Sequence, residues 1–161
     1  MTTKDIILSK LKELDIPYKV FNHEPIMTME QGKDIEKQMG VSAIKTLLLA
    51  NHHKQFFMFL LPAEKKLDIK NLSSQIGCGH LSFASAEDIN RLLHAYPGAV
   101  SPLGLLFDER REISLFIDNS LMQQQEIAMH PCENDYSLML DFQDFLIKYL
   151  PSIGVTYRQL I

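Results

Sequence analysis

Two neighbouring apolar runs constrain this chain more than anything else in it. Ala43-Ile44-Lys45-Thr46-Leu47-Leu48-Leu49-Ala50 and Gln55 to Leu61 are separated only by the polar turn Asn51-His52-His53-Lys54. Continuous apolar runs bounded by turn signals predict a fully buried hairpin rather than a half-solvated one. At 161 residues the chain is long enough for one domain whose core needs no disulfide or metal staple. Its 46% hydrophobic and 22% charged residues are those of an ordinary soluble globular protein.

Around the hairpin, helices and short strands alternate. Ile7, Leu11 and Leu14 follow helical spacing behind Thr3 as N-cap, and Pro17 ends that helix. Tyr18 to Asn22 is a strand by its β-formers, with His23-Glu24-Pro25 turning after it. Thr28-Met29-Glu30-Gln31 has the form of a capping box that opens a helix closed by Gly40. Asp68 to Ile76 is helical until Gly77, Leu81 to Ala84 is extended, and Ser85 caps a helix running to about Leu93. Glu112 to Ile117, Glu126 to Met129 and Tyr136 to Leu140 are strands, and Asp141 caps a last helix that Pro151 stops. The fold class is therefore mixed α/β, of the α+β kind.

Three pieces stand out from this framework. Lys45 is a cation at the mouth of a greasy strand, where it either snorkels to water or meets an anion. Pro97-Gly98-Ala99-Val100-Ser101-Pro102-Leu103-Gly104-Leu105 is unsuited to a core strand, since its glycines and prolines punctuate the backbone. A stiff loop of free amides there suits a developing oxyanion or a ribose hydroxyl, and the same composition also serves a tight connection. His130-Pro131-Cys132-Glu133-Asn134 presents a histidine from a proline-fixed corner, or is simply an Asx-type turn. Met29, Met39 and His23 are further pocket-rim or catalytic candidates whose common uses are packing and local bonding.

Several classes lose support. The net charge of −4 argues against a protein that coats long nucleic acid, though not against one that holds a short nucleic-acid end. Cys78 and Cys132 form no metal-ligand cluster, and the six histidines are scattered, so no metal or other cofactor is expected and a reduced, cytoplasmic setting is the default. The N-terminus, Met1-Thr2-Thr3-Lys4-Asp5, lacks the long apolar core of a signal peptide, and no run approaches the length of a membrane span. GxGxxG, P-loop, GxSxG and HExxH patterns are all missing.

In combination, Lys45, the Gly98 to Leu105 loop, His130 to Asn134 and Leu81-Ser82-Phe83-Ala84-Ser85 resemble the prolyl-tRNA-editing family. This is the YbaK/ProX group, related to the insertion domain of bacterial prolyl-tRNA synthetase. The likeness spans nearly the whole chain, and the Gly-x-Val-Ser-Pro-x-Gly-Leu loop is most similar to the freestanding ProX branch. It implies one editing domain over residues 1–161, built as a curved, mostly antiparallel sheet or barrel flanked by helices. It also implies deacylation of mischarged tRNA(Pro), with alanine the amino acid removed, or cysteine as in the YbaK branch. A noncatalytic module binding tRNA or a synthetase is the alternative from another class.

By the same resemblance Lys45 is the essential lysine, acting electrostatically on the ester or terminal phosphate. Gly98 and Ala99 supply oxyanion amides. The substrate would be bounded by Ile44, Thr46, Val100, Ser101, Pro102, His130 and Met29, in a pocket sized for a small side chain. The acceptor end of tRNA(Pro) is the implied partner, with prolyl-tRNA synthetase a second. Two positions depart from the ProX pattern: Thr46 where asparagine is common, and Phe107 where an Asn-Asp pair often follows the loop.

Overall fold

The computed structural model describes residues 1–23, 34, 37–38, 40–41, 44–132 and 135–161. Helix α1 (Thr3–Glu13) precedes strand β1 (Tyr18–Asn22), the hairpin β2 (Ile44–Ala50) and β3 (Phe56–Pro62), and helix α2 (Ile69–Ile76). The two-residue strand β4 (Ser82–Phe83), helix α3 (Ala86–Leu93), a 3-10 helix (Pro102–Phe107) and strand β5 (Ile113–Asp118) follow. A second 3-10 segment (Asn119–Gln123), β6 (Glu126–Met129), β7 (Tyr136–Asp141), a helix α4 over 142–152 and strand β8 (Tyr157–Leu160) complete the order. The capping box expected at Thr28 to Gln31 lies outside the described residues, as do Met29 and Met39.

Helix starts follow their caps. Thr2, one residue before the expected Thr3, accepts the Asp5 N–H while the Asp5 carboxylate accepts the Thr2 N–H, a reciprocal capping box. Asp68 caps α2, which Gly77 ends in the left-handed region, and Ser85 caps α3 by accepting the Asp88 N–H.

The hairpin is the partition on which the rest is laid. β2 and β3 pair antiparallel from Ile44 opposite Pro62 to Ala50 opposite Phe56. Side chains alternate across it. Leu48, Met58 and Leu60 join the larger core with α1, α3 and α4, while Leu49, Phe57, Phe59 and Leu61 join a second core with Phe116 and Leu72 of α2. β3 is buried through Leu61, as the apolar run predicts, but in β2 only Leu48 and Leu49 are buried. Burying one such leucine or phenylalanine contributes about 1.5–3 kcal/mol, so the hairpin is a large share of the core's stabilisation.

A five-stranded sheet has the order β4-β2-β3-β5-β8, and a three-stranded sheet the order β1-β7-β6. Four of the strand pairs are antiparallel, whereas β3–β5 and β5–β8 are parallel. The sheets are not closed into the barrel that the resemblance allowed. β4 is only two residues long before Ser85 turns the chain into α3, which leaves an edge where closure would need a strand.

Two differences concern the C-terminal part. Pro151 does not stop the last helix, which continues to Ser152. The stretch Phe145–Tyr149 just before it is wound as a π-helix, and that wider turn makes room for a ring that would otherwise meet the carbonyl one α-turn back. β8, unforeseen in the sequence, adds a parallel edge beside β5.

Candidate active site

A cavity of about 410 Å³ opens where β2 loses its neighbour. Ile44, Thr46, Leu47 and Leu48 form one side, Phe83, Ala84 and Ile89 another, and Pro97, Gly98, Val100 and His130 the third. Five of the residues singled out in the sequence, Ile44, Thr46, Gly98, Val100 and His130, thus meet across one space. The cavity is roomier than a methyl-sized pocket and falls in the range of small-molecule sites, so volume alone does not set which side chain is accepted.

The 97–105 segment is held from behind. Gly98 takes φ +95°, a conformation open to glycine and costly for other residues. The Gly98 and Val100 N–H groups have no hydrogen-bond partner among the described residues, and both residues line the cavity. Ala99 is different: its N–H donates to the Tyr96 carbonyl at 2.9 Å and its methyl is fully buried. Its amide is used up in closing the turn, unlike those of Gly98 and Val100.

Ser101 and Pro102 do not line this cavity. Both are buried away from the cavity, because Ser101 is the N-cap of the 3-10 helix and accepts the Leu103 N–H at 3.2 Å. That helix is pinned by the Tyr149 hydroxyl, which donates to the Leu103 carbonyl at 2.5 Å from α4. Gly104 is required for close approach rather than for backbone freedom. A Cβ there would lie 2.8 Å from the Cys132 sulfur and 3.0 Å from the Leu93 carbonyl.

His130 faces the cavity from the corner after β6, its ring centroid 6.0 Å from that of His23, edge to face. His23 in turn shares a 3.0 Å hydrogen bond with the buried Ser137 hydroxyl on β7. Burial first, then the neighbouring His23, lower the His130 pKa from 6.5 to about 4, against an opposing pull from Asp135. His130 is therefore neutral through the physiological range. Below pH 6.5 the unfolded chain takes up a proton that the folded chain refuses until about pH 4, so stability falls as pH drops through that window. The ceiling on this loss is about 3 kcal/mol. Urea denaturation at pH 7 and pH 4.5 should show a smaller acid loss for His130→Gln than for the wild type; equal losses would mean that His130 titrates normally.

Lys45 is not brought to this group. It belongs to the alternation set of Leu47 and Leu49, and its ammonium donates to the Lys65 carbonyl at 2.8 Å, on the turn after β3. Its chain neighbours Ile44 and Thr46 line the cavity and it does not. The period of 2 that makes β2 a strand is the reason: it sends Lys45 to the opposite face from Thr46. Phe83, Ala84, Ile89 and the paired Ser137 were not expected at the site. The extended piece at 81–84 and its part in the family resemblance were the signals for the first two, and nothing local to Ser137 announces its contact with His23.

A second hollow, of about 430 Å³, lies along β5 and β8. Its Arg111 guanidinium is spent on the carbonyls of Leu105, Asp108 and Ile153, where it ties the end of the 3-10 helix to the end of α4. Among the described residues no group of His, Cys, Asp and Glu could hold a metal ion, and no helix is long and apolar enough to cross a membrane. No serine of the nucleophile kind lines the main cavity among the described residues.

Comparison with known proteins bears on the family of the chain. The aminoacyl-tRNA editing domain matches residues 23–147. The prolyl-tRNA editing protein ProX of Acetoanaerobium sticklandii is 32% identical over 159 residues, covering 98% of this chain and 96% of that protein. The multifunctional Ser/Thr-tRNA deacylase ProXp-y of Escherichia coli is 25% identical over 161 residues, 98% of this chain and 93% of its own. A crystal structure described as a candidate trans-editing enzyme for prolyl tRNA synthetase superposes with a TM-score of 0.73 at 16% identity, covering 99% of this chain and 97% of that one. A family match over most of the chain, joined to near-full-length identity above 30%, leaves one assignment: this chain belongs to the aminoacyl-tRNA editing domain family.

Proposed function

We propose that the protein is a trans-editing aminoacyl-tRNA deacylase acting in the cytoplasm on mischarged tRNA(Pro), with alanine the amino acid it removes. One observation carries the reading: the cavity is lined by Gly98 and Val100, whose N–H groups have no partner among the described residues, together with a neutral histidine and an apolar wall. An aminoacyl ester is already activated, so the protein has to hold it, polarise its carbonyl and admit water. A well-placed amide lowers the barrier to the tetrahedral oxyanion by about 3 kcal/mol. Among the described residues no serine lines the wall, and in this reading water attacks the ester carbon; the acyl–oxygen bond then breaks, the amino acid leaves as its acid and the terminal hydroxyl of the tRNA is regenerated.

Thr46, Ile44 and Val100 bound the amino acid in this reading, and His130 meets it as an uncharged polar group. The choice of alanine rests on the ProX-like loop at 98–105. Cysteine is the alternative, and the E. coli relative adds serine and threonine to the substrates worth testing. Lys45, near the start of β2, meets an acceptor-end phosphate in this reading by giving up its bond to the Lys65 carbonyl. Prolyl-tRNA synthetase is the natural partner for a protein that clears its errors.

The test is deacylation of tRNA(Pro) charged separately with alanine, cysteine, serine and proline. Alanyl-tRNA(Pro) should be cleared fastest and the prolyl form spared. A few methylenes in an apolar pocket separate substrates by only about 1–3 kcal/mol, so a tenfold to hundredfold preference is the scale to expect. Hydrolysis of the prolyl form as fast as the alanyl form overturns the proofreading role, and binding of tRNA without hydrolysis leaves the noncatalytic module.

A further inference from the structure

The cavity lies on an unfinished ladder, and that edge points to how the amino acid itself is held. The Ala84 N–H donates to the Leu48 carbonyl at 2.9 Å, the outermost bond between β2 and the chain that carries β4. Residues two apart in a strand send their N–H and C=O to the same side. The N–H and C=O of Thr46 therefore point off the same edge as those of Leu48. The residue that would face Thr46 is already inside α3, because the chain turns away at Ser85. Among the described residues no strand pairs with this edge at Thr46.

An aminoacyl ester matches what is missing. In the hydrogen-bonded type of antiparallel pair, one residue offers its N–H and its C=O to a single partner. The α-ammonium and ester carbonyl of an aminoacyl group stand on one Cα with the same N–Cα–C spacing as a residue. We propose that Thr46 receives the aminoacyl group as one more residue of the sheet, its carbonyl accepting from the α-ammonium and its N–H donating to the ester carbonyl. This rests on the deacylase reading above and specifies the recognition within it. Strand addition at an exposed edge reads main chain and leaves side-chain choice to the flanking walls. Here those walls include Leu48, Ile89, Val100 and His130.

Two measurements test this. The first compares Thr46→Pro, which deletes the N–H at an edge position where proline is tolerated, with Thr46→Val, which deletes only the hydroxyl. Deacylation of alanyl-tRNA(Pro) by Thr46→Pro should fall about 100-fold below that of Thr46→Val. The second needs no variant: the wild type is given alanyl-tRNA(Pro) and propionyl-tRNA(Pro), each scored as acceleration over spontaneous hydrolysis. The propionyl ester keeps the carbonyl and the small side chain but has no nitrogen to donate, and should be accelerated at least about 30-fold less. If Thr46→Pro fails to fold, the second measurement decides. Equal acceleration of both esters, or a folded Thr46→Pro as fast as Thr46→Val, overturns edge pairing while the deacylase reading stands. A wild type inert on every aminoacyl-tRNA overturns both.

Discussion

Replacing Gly98 with alanine should cut kcat on alanyl-tRNA(Pro) by about 100-fold while lowering the melting temperature by only a few degrees. Gly98 sits at φ +95° and a Cβ built on it meets nothing within 4 Å, so the cost is torsional rather than a clash. An L-residue held in the left-handed half of the map costs about 1–2 kcal/mol, which a chain of this size loses as about 2–4 °C per kcal/mol. Relief comes by rotating the adjoining peptides, which swings the Gly98 N–H off the position of the developing oxyanion. The fold therefore survives and the chemistry does not. Thermal unfolding and single-turnover deacylation on the same sample separate the two effects. A variant within about threefold of the wild type would remove the Gly98 amide from the mechanism.

The contrast between Gly98 and Ala99 also shows what the sequence could and could not disclose. The elements that position the loop were legible, because each is marked by a local physical signal: Ser85 and Asp88 at the start of α3, Asp141 before α4, the unbroken apolar run of β3. The loop was legible as a backbone-presenting segment through its glycines and prolines. Which amides it presents was not, since that depends on a single turn bond from Ala99 to Tyr96 and on Ser101 capping a 3-10 helix. The same limit explains the barrel. Antiparallel hairpins can be counted from sequence, but whether the last strand reaches the first depends on where β4 gives out. β8 escaped notice because it is a four-residue edge strand with two exposed positions, too short and too polar for a period-2 pattern to register. His23 and Ser137 come together only through the pairing of β1 with β7. Lys45 is the instructive case: its type and place in β2 were plain, and the alternation that defines a strand decided which face it joined.

That face is what makes Lys45→Ala informative. Its ammonium rests on one partly exposed carbonyl, that of Lys65, a bond worth about 0.5–1.5 kcal/mol net and readily exchanged for a phosphate oxygen. Lysine is a long-armed point charge suited to such a contact, and its backbone lies between two residues of the cavity wall. We therefore expect Lys45→Ala to lower kcat/KM on alanyl-tRNA(Pro) by about 10- to 100-fold, the equivalent of about 1.4–2.7 kcal/mol. Most of the loss should lie in KM. The salt dependence distinguishes the two electrostatic roles open to this residue. A contact to one phosphate of a single strand contributes about 0.7 to the slope of log(kcat/KM) against log salt concentration, and Lys45→Ala should lose that increment. If kcat collapses instead while the slope is unchanged, the ammonium acts on the ester carbonyl and must leave Lys65 and swing round the open edge of β2 to reach it. Full activity at every salt concentration would confine Lys45 to holding the turn after β3.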